Sequence, residues 1–227
     1  MLSAGQPPQP PATSVTAASA ISSKAHLSSM QQNGASVTTE LAPEKPGGPI
    51  QHIWVVTGPA GCGKSTVGQA IRKELDLPFL EGDDYHPKAN KDKMSNGIPL
   101  TDADRWDWLI SLRQAAIDAL SPAERNDFHP PAGVVVACSA LKKKYRDVMR
   151  VAAYGSPLVQ IHFVYLKLTE AALMQRVTRR QAHYMKSDMV QSQLAALEEP
   201  RDEWDAITID VQKSVLDAVA AKLAEYQ

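Results

Sequence analysis

The stretch Ile53–Thr66, IWVVTGPAGCGKST, constrains this chain more than any other. Four apolar residues, Ile53 to Val56, run into a glycine-rich turn that leaves through a lysine and two hydroxyl residues. Gly58, Pro59, Ala60, Gly61, Cys62, Gly63, Lys64 and Ser65 fit a phosphate-binding pattern: glycine, four residues, glycine, lysine, then serine or threonine. The spacing has a physical reason. Where β-carbons are missing, successive backbone N–H groups can turn inward and line a concave anion site. A helix beginning near Ser65 and Thr66 adds the positive end of its dipole. Lys64 can reach the β- and γ-phosphates, and the Ser65 hydroxyl can ligate Mg²⁺. The apolar strand before and the amphipathic helix after supply the context such a loop needs, so a nucleoside triphosphate is the expected ligand.

The 227 residues are 44% hydrophobic, ample material for a core around that loop. A net charge of −1 gives no global attraction for nucleic acid or an anionic membrane. No apolar run approaches the roughly 18 residues of a membrane span. Cys62 and Cys138 stand far apart, without metal-binding spacing, which fits a reducing compartment and a cytoplasmic protein. Residues 1–49 are rich in Ala, Ser, Thr, Pro and Gln and nearly lack large apolar side chains. Such a segment cannot offset its ordering entropy, so a disordered tail is expected, with the folded domain spanning 50–227. The absence of acidic residues before Glu40 is one trait of a mitochondrial transit peptide, but no arginine accompanies it, and a plain flexible tail fits better.

Downstream of the loop, Val67, Ala70, Ile71 and Leu75 share one helical face. Pro78-Phe79-Leu80 opens a second strand that delivers Glu81-Gly82-Asp83-Asp84 to its C-terminal end. Ligands of open α/β sheets bind outside such ends. Spacing alone admits two readings of these acids: a site for Mg²⁺ and an acceptor hydroxyl, or a solvated turn. The polar stretch from His86 to Leu100 has too little periodicity to assign. Thr101 caps a helix running to about Leu120, with Asp102 and Asp104 at its positive end and Leu109, Leu112, Ala116 and Leu120 inward. Trp106 and Trp108 are either core or the wall of a pocket. Val134–Cys138 reads as a strand buried on both faces, ending at Ser139. The basic run from Lys142 to Arg146 is either a solvated face or a hold on an anion. A fourth strand at Ile161–Leu166, a helix carrying Arg176, Arg179 and Arg180, a helix from about Ser187 to Leu197, a fifth strand at Ile207–Asp210 and a closing helix through Val215, Val219 and Leu223 complete the chain. Repeated βα units argue a three-layer α/β/α fold with a parallel five-stranded sheet.

Four stretches carry a specific likeness: GPAGCGKST, FLEGDDYHPKANKDKMSNGIPLTDADRWDWL, CSALKKKYRDVMR and RVTRRQAHYMKSDMVQSQLAALEEP. In that order they resemble the gluconokinases of the thermoresistant type, P-loop sugar-acid kinases related to shikimate kinase. The resemblance implies Mg²⁺-dependent transfer of phosphate from ATP to D-gluconate, yielding 6-phospho-D-gluconate for the pentose phosphate pathway, in a possible homodimer. By that resemblance Lys64 and the loop amides grip the phosphates, while Ser65 and Glu81 hold Mg²⁺. Asp83 orients the acceptor hydroxyl and takes its proton. His86, Arg105, Ser139, Lys142 and Arg146 surround the acceptor, with Arg105 suited to pair with the gluconate carboxylate. Arg176, Arg180 and His183 match a helical lid at about 177–200, where Arg176 packs on adenine and Arg180 reaches the transferring phosphate.

The chain departs from that family at several points. Glu81 stands where aspartate is usual, Cys62 replaces a serine, Trp106-Asp107 replaces a basic residue and proline, and the Ser121–Gly133 loop is longer. The alternatives are a related small-molecule kinase acting on shikimate or another sugar acid, and a nucleotide-binding module without catalysis. Intact Lys64, Ser65 and Asp83 argue against the latter.

Overall fold

The computed structural model describes residues 48–179 and 187–211. The expected tail and closing helix, and with them Arg180 and His183, lie outside the described residues. Five parallel strands form one sheet: β1 Gln51–Thr57, β2 Phe79–Glu81, β3 Gly133–Ala137, β4 Val159–Lys167 and β5 Ala206–Asp210, in the spatial order β2-β3-β1-β4-β5. The chain passes from β1 to the β2 edge, returns through β3, then crosses to β4, so the connections diverge around the C-terminal end of β1. That is where an open α/β sheet forms its ligand crevice.

Period-two alternation sends the β1 side chains to opposite faces. Ile53 and Val55 pack with Leu109, Leu112 and Met149 on one side. Trp54 and Val56 pack with Ile71, Leu173 and Val190 on the other. Each fully buried large aliphatic contributes about 1.5–3 kcal/mol, so the apolar runs of β1 and β3 specify a sheet covered on both faces. The helices supply the outer layers: α1 Lys64–Leu75, α2 Lys88–Ser95, α3 Asp102–Leu120, α4 Lys143–Arg150, α5 Glu170–Arg179 and α6 Ser187–Ala196.

Local chemistry sets the helix ends. Gly63 precedes α1 in a left-handed conformation with no side-chain cap, leaving the helix amides to face the loop. Thr101 and Asp104 make a reciprocal capping box at α3, the Thr101 hydroxyl accepting the Asp104 N–H while the Asp104 carboxylate accepts the Thr101 N–H. Ala70, expected inward, lies on the exposed side of α1, and Gly68 takes the buried position against the Phe79 ring. The unassigned polar stretch contains α2, whose one buried residue is Asn90. No helix among the described residues is long and apolar enough to cross a membrane.

Candidate active site

The loop between β1 and α1 turns through positive φ at Gly58, Gly61 and Gly63. At Gly61, with φ of +82°, a β-carbon would also come within 2.7 Å of the Val177 side chain. The position therefore requires glycine. The Lys64 ammonium folds across the loop and donates to the Gly58 and Pro59 carbonyls, both at 3.1 Å. Beside it, at the end of β2, the Glu81 carboxylate stands near the Ser65 hydroxyl. Partial burial raises the Glu81 pKa, the nearby hydroxyl only partly offsetting it. A hydroxyl and a carboxylate side by side next to a phosphate loop are hard oxygen donors of the kind Mg²⁺ takes together with water and phosphate. Among the described residues no cluster of three His, Cys, Asp or Glu side chains could hold a metal alone.

Behind the loop a cavity of about 380 Å³ is lined by Gly61, Gly63, Thr66, Val67, Arg176 and Arg179, among others. Arg176 donates to the Cys62 carbonyl at 3.1 Å, so its guanidinium sits against the loop. Arg179 had no role from the sequence, yet it shares this lining.

In front of the loop lies a second, smaller cavity. It brings together Asp83, His86, Arg105 and Ser139, four of the residues expected around the acceptor. Asp83 reaches it from a short 3₁₀ turn after β2, its carboxylate largely open to solvent. The neighbouring His86 ring is buried, stacked on Trp108 with centroids 4.0 Å apart. Burial pushes its imidazole down to about 4, outweighing the opposing pull of Asp83. Its tautomer follows from Asn90, whose Nδ2 must donate because it also faces the Asp104 carbonyl at 2.6 Å. The same Nδ2 lies 3.4 Å from His86 Nδ1, making that nitrogen the acceptor. The ring proton then sits on Nε2, 4.0 Å from Asp83 Oδ1. Arg105 crosses the Tyr145 ring and donates through Nη1 to the Leu100 carbonyl at 2.6 Å. Trp108 also lines the cavity, as do Met94, Ser192 and Gln193, the last three without a role from the sequence. For Trp108 the pocket-wall and core readings both hold.

Two residues expected around the acceptor are held by protein partners in this structure. Arg146 is 1% exposed and lies beneath the pocket. It donates to Glu203 at 2.9 and 2.5 Å and to the Ala140 and Leu141 carbonyls, each at 3.1 Å. A guanidinium committed in this way braces the Ser139–Lys142 turn. Lys142 lies outside the cavity lining and pairs with Asp102 at 3.0 Å. Lys144 and the Tyr145 hydroxyl converge on the same carboxylate, holding it well below the usual carboxylate range.

A parallel sheet, a phosphate loop at its switch point and a second pocket opposite define a P-loop protein of kinase architecture. A family model described as an AAA domain matches residues 53–203. A probable gluconokinase of Schizosaccharomyces pombe is 47% identical over 165 residues, covering 72% of this chain and 82% of that protein. The chain belongs to the gluconokinase family. The thermosensitive gluconokinase of Escherichia coli is 38% identical over 163 residues, 71% of this chain and 80% of its own length. A crystal structure of a gluconokinase from Sinorhizobium meliloti 1021 superposes with a TM-score of 0.64 at 40% identity, covering 78% of this chain and 96% of that one.

Proposed function

We propose that this protein transfers the γ-phosphoryl group of ATP to the 6-hydroxyl of D-gluconate, giving 6-phospho-D-gluconate and ADP. The observation that carries this is the acceptor cavity, where an open carboxylate, Asp83, stands among His86, Arg105 and Ser139. The gluconokinase relatives support the choice of acceptor.

The gluconate oxygen attacks phosphorus as the bond to the bridging oxygen of ADP breaks, and Asp83 takes the hydroxyl proton. Lys64 and the loop amides face the charge carried by the phosphates. Arg105 offers paired donors to the gluconate carboxylate, and the neutral His86 offers Nε2–H to a hydroxyl. Ser65 and Glu81 would hold Mg²⁺, which when bound supplies charge neutralisation to the phosphates. By the family resemblance Arg176 would pack on the adenine, and Arg180 and His183 would belong to a lid whose closure excludes water as a competing acceptor. A homodimeric assembly in the cytoplasm belongs to the same proposal; light scattering tests the first.

The decisive experiment is a coupled ADP-release assay with gluconate, its epimers, shikimate and nucleoside monophosphates. Gluconate-dependent ADP release is expected. A protein that binds Mg²⁺-ATP but releases no ADP with gluconate would overturn the proposal.

A further inference from the structure

One side chain touches both halves of the site. Gln193 lines the acceptor cavity together with Ser192. Its Oε1 also accepts the backbone N–H of Ala60, inside the phosphate loop, at 2.7 Å. Because a backbone N–H can only donate, the oxygen must face the loop, and the Nε2 donors form the other end of the same planar amide.

The helix beneath Gln193 is well anchored. Val190 is fully buried and Leu194, four residues on, packs into the same cluster as Cys62 and Leu173. Positions i and i+4 share a helical face, so these two fix the rotation of α6 and set Gln193 on the flank beside the loop. The far end of the segment is attached as well. The Glu198 N–H donates to the Leu141 carbonyl at 2.9 Å, and the Glu198 carboxylate accepts the Lys143 N–H at 2.6 Å. Leu141 lies in the turn that follows Ser139 and Lys143 opens α4 directly after it, and the Ser139 carbonyl in turn accepts the Thr57 hydroxyl at 2.5 Å, at the root of the loop. Six residues, Gln193 to Glu198, therefore span from the donor loop to the acceptor turn.

We infer that Gln193 is a positioning residue that couples occupancy of the phosphate-donor loop to occupancy of the acceptor pocket. This rests on the ATP and gluconate assignment above. An anion drawn into the loop fixes the Ala60 amide, which fixes the Gln193 amide, which orients Nε2 at the acceptor. Linkage makes the effect reciprocal, so gluconate strengthens nucleotide binding by the same factor.

The test is titration of a non-hydrolysable ATP analogue with Mg²⁺, with and without saturating gluconate, alongside ADP release and thermal melting. Wild-type protein is expected to bind the analogue about 5-fold or more tightly when gluconate is present. Gln193→Ala and the similarly sized Gln193→Met should bring that factor close to one while melting as the wild type does. Gln191, exposed on the same helix as Gln193 and bonded to Glu170 of α5, provides the control, and Gln191→Ala should keep the full factor. A merely structural role for Gln193 would lower melting temperature and leave the factor intact. Turnover of gluconate by wild type with independent binding of the two ligands, or either Gln193 variant retaining the wild-type factor, overturns the coupling alone. No gluconate-dependent ADP release from the wild type overturns the underlying assignment and the coupling with it.

Discussion

The indole N–H of Trp108 donates to the Gly82 carbonyl at 2.7 Å, tying α3 to the turn that carries Asp83. The turn is gripped from below too, since a β-carbon on Gly82 would lie 2.4 Å from the Ala137 carbonyl oxygen of β3. With the same indole stacked on His86, one residue sets the height of the carboxylate and the tilt of the imidazole. Trp108→Phe keeps most of the packing but removes the donor. The buried carbonyl then goes unpaired, which costs about 1–3 kcal/mol. A lower melting temperature and a reduced kcat are expected together, read by thermal denaturation and steady-state kinetics.

Much of this arrangement was legible in the sequence, for identifiable reasons. Strands buried on both faces read as unbroken apolar runs, so β1 and β3 stood out, and the loop glycines follow the spacing of a phosphate-binding loop. Helix α2 was illegible because it has no apolar face. Its buried contact is polar, Asn90 to the Asp104 carbonyl, reinforced by Lys93 on the Asp104 carboxylate at 2.6 Å. The burial of Arg146 was illegible because it sits in a basic run that looks like a surface, while its acidic partner Glu203 lies 57 residues away. Gln193 carried no signal of its own; glutamine on a helix is ordinary until its neighbour proves to be the phosphate loop.

Asp83 offers the sharpest chemical prediction. Asp83→Asn preserves shape and hydrogen bonding but removes the proton acceptor. A fall in kcat of about 10²–10⁴-fold is expected, with nucleotide affinity unchanged. Single-turnover kinetics together with analogue titration separate the two quantities. Turnover at the wild-type rate would remove Asp83 from the chemistry.

His86 should leave a trace in stability against pH. Its folded imidazole sits at about 4, against an ordinary value of 6.5, chiefly through burial, with Arg105 and Lys91 lowering it further and Asp83 opposing. As pH falls below about 6.5 the unfolded chain takes up a proton that the folded chain refuses, so stability present above 6.5 declines toward pH 4. His86→Gln should flatten that part of the curve relative to wild type in urea melts. An unchanged slope would mean that the ring is readily protonated in the folded protein.

Arg146 separates bracing from substrate contact. The Ala140 backbone, whose carbonyl it holds, has φ of +33°, in the left-handed region that a residue with a β-carbon rarely adopts. Strain of this kind costs about 1–3 kcal/mol and persists only where surrounding bonds enforce it. Arg146→Ala removes those bonds and one of the two guanidinium partners of a mostly buried Glu203, Arg150 being the other, so a loss of about 1.5–3 kcal/mol is expected. Arg146→Lys, with a point charge in place of a fork, should recover only part of it. Burial would raise the Glu203 pKa, but the hydrogen bonds from Arg146 and Arg150 outweigh it and leave the carboxyl below its ordinary 4.5. The contribution of these pairs is therefore full above about pH 4.5 and lost as pH falls through the depressed value, and the variant, in which only Arg150 still holds Glu203, should show a weaker acid-side decline. Relaxation of the Ser139 turn should raise the KM for gluconate alongside the fall in melting temperature. A variant that melts like the wild type yet shows a raised KM would return the guanidinium to the substrate.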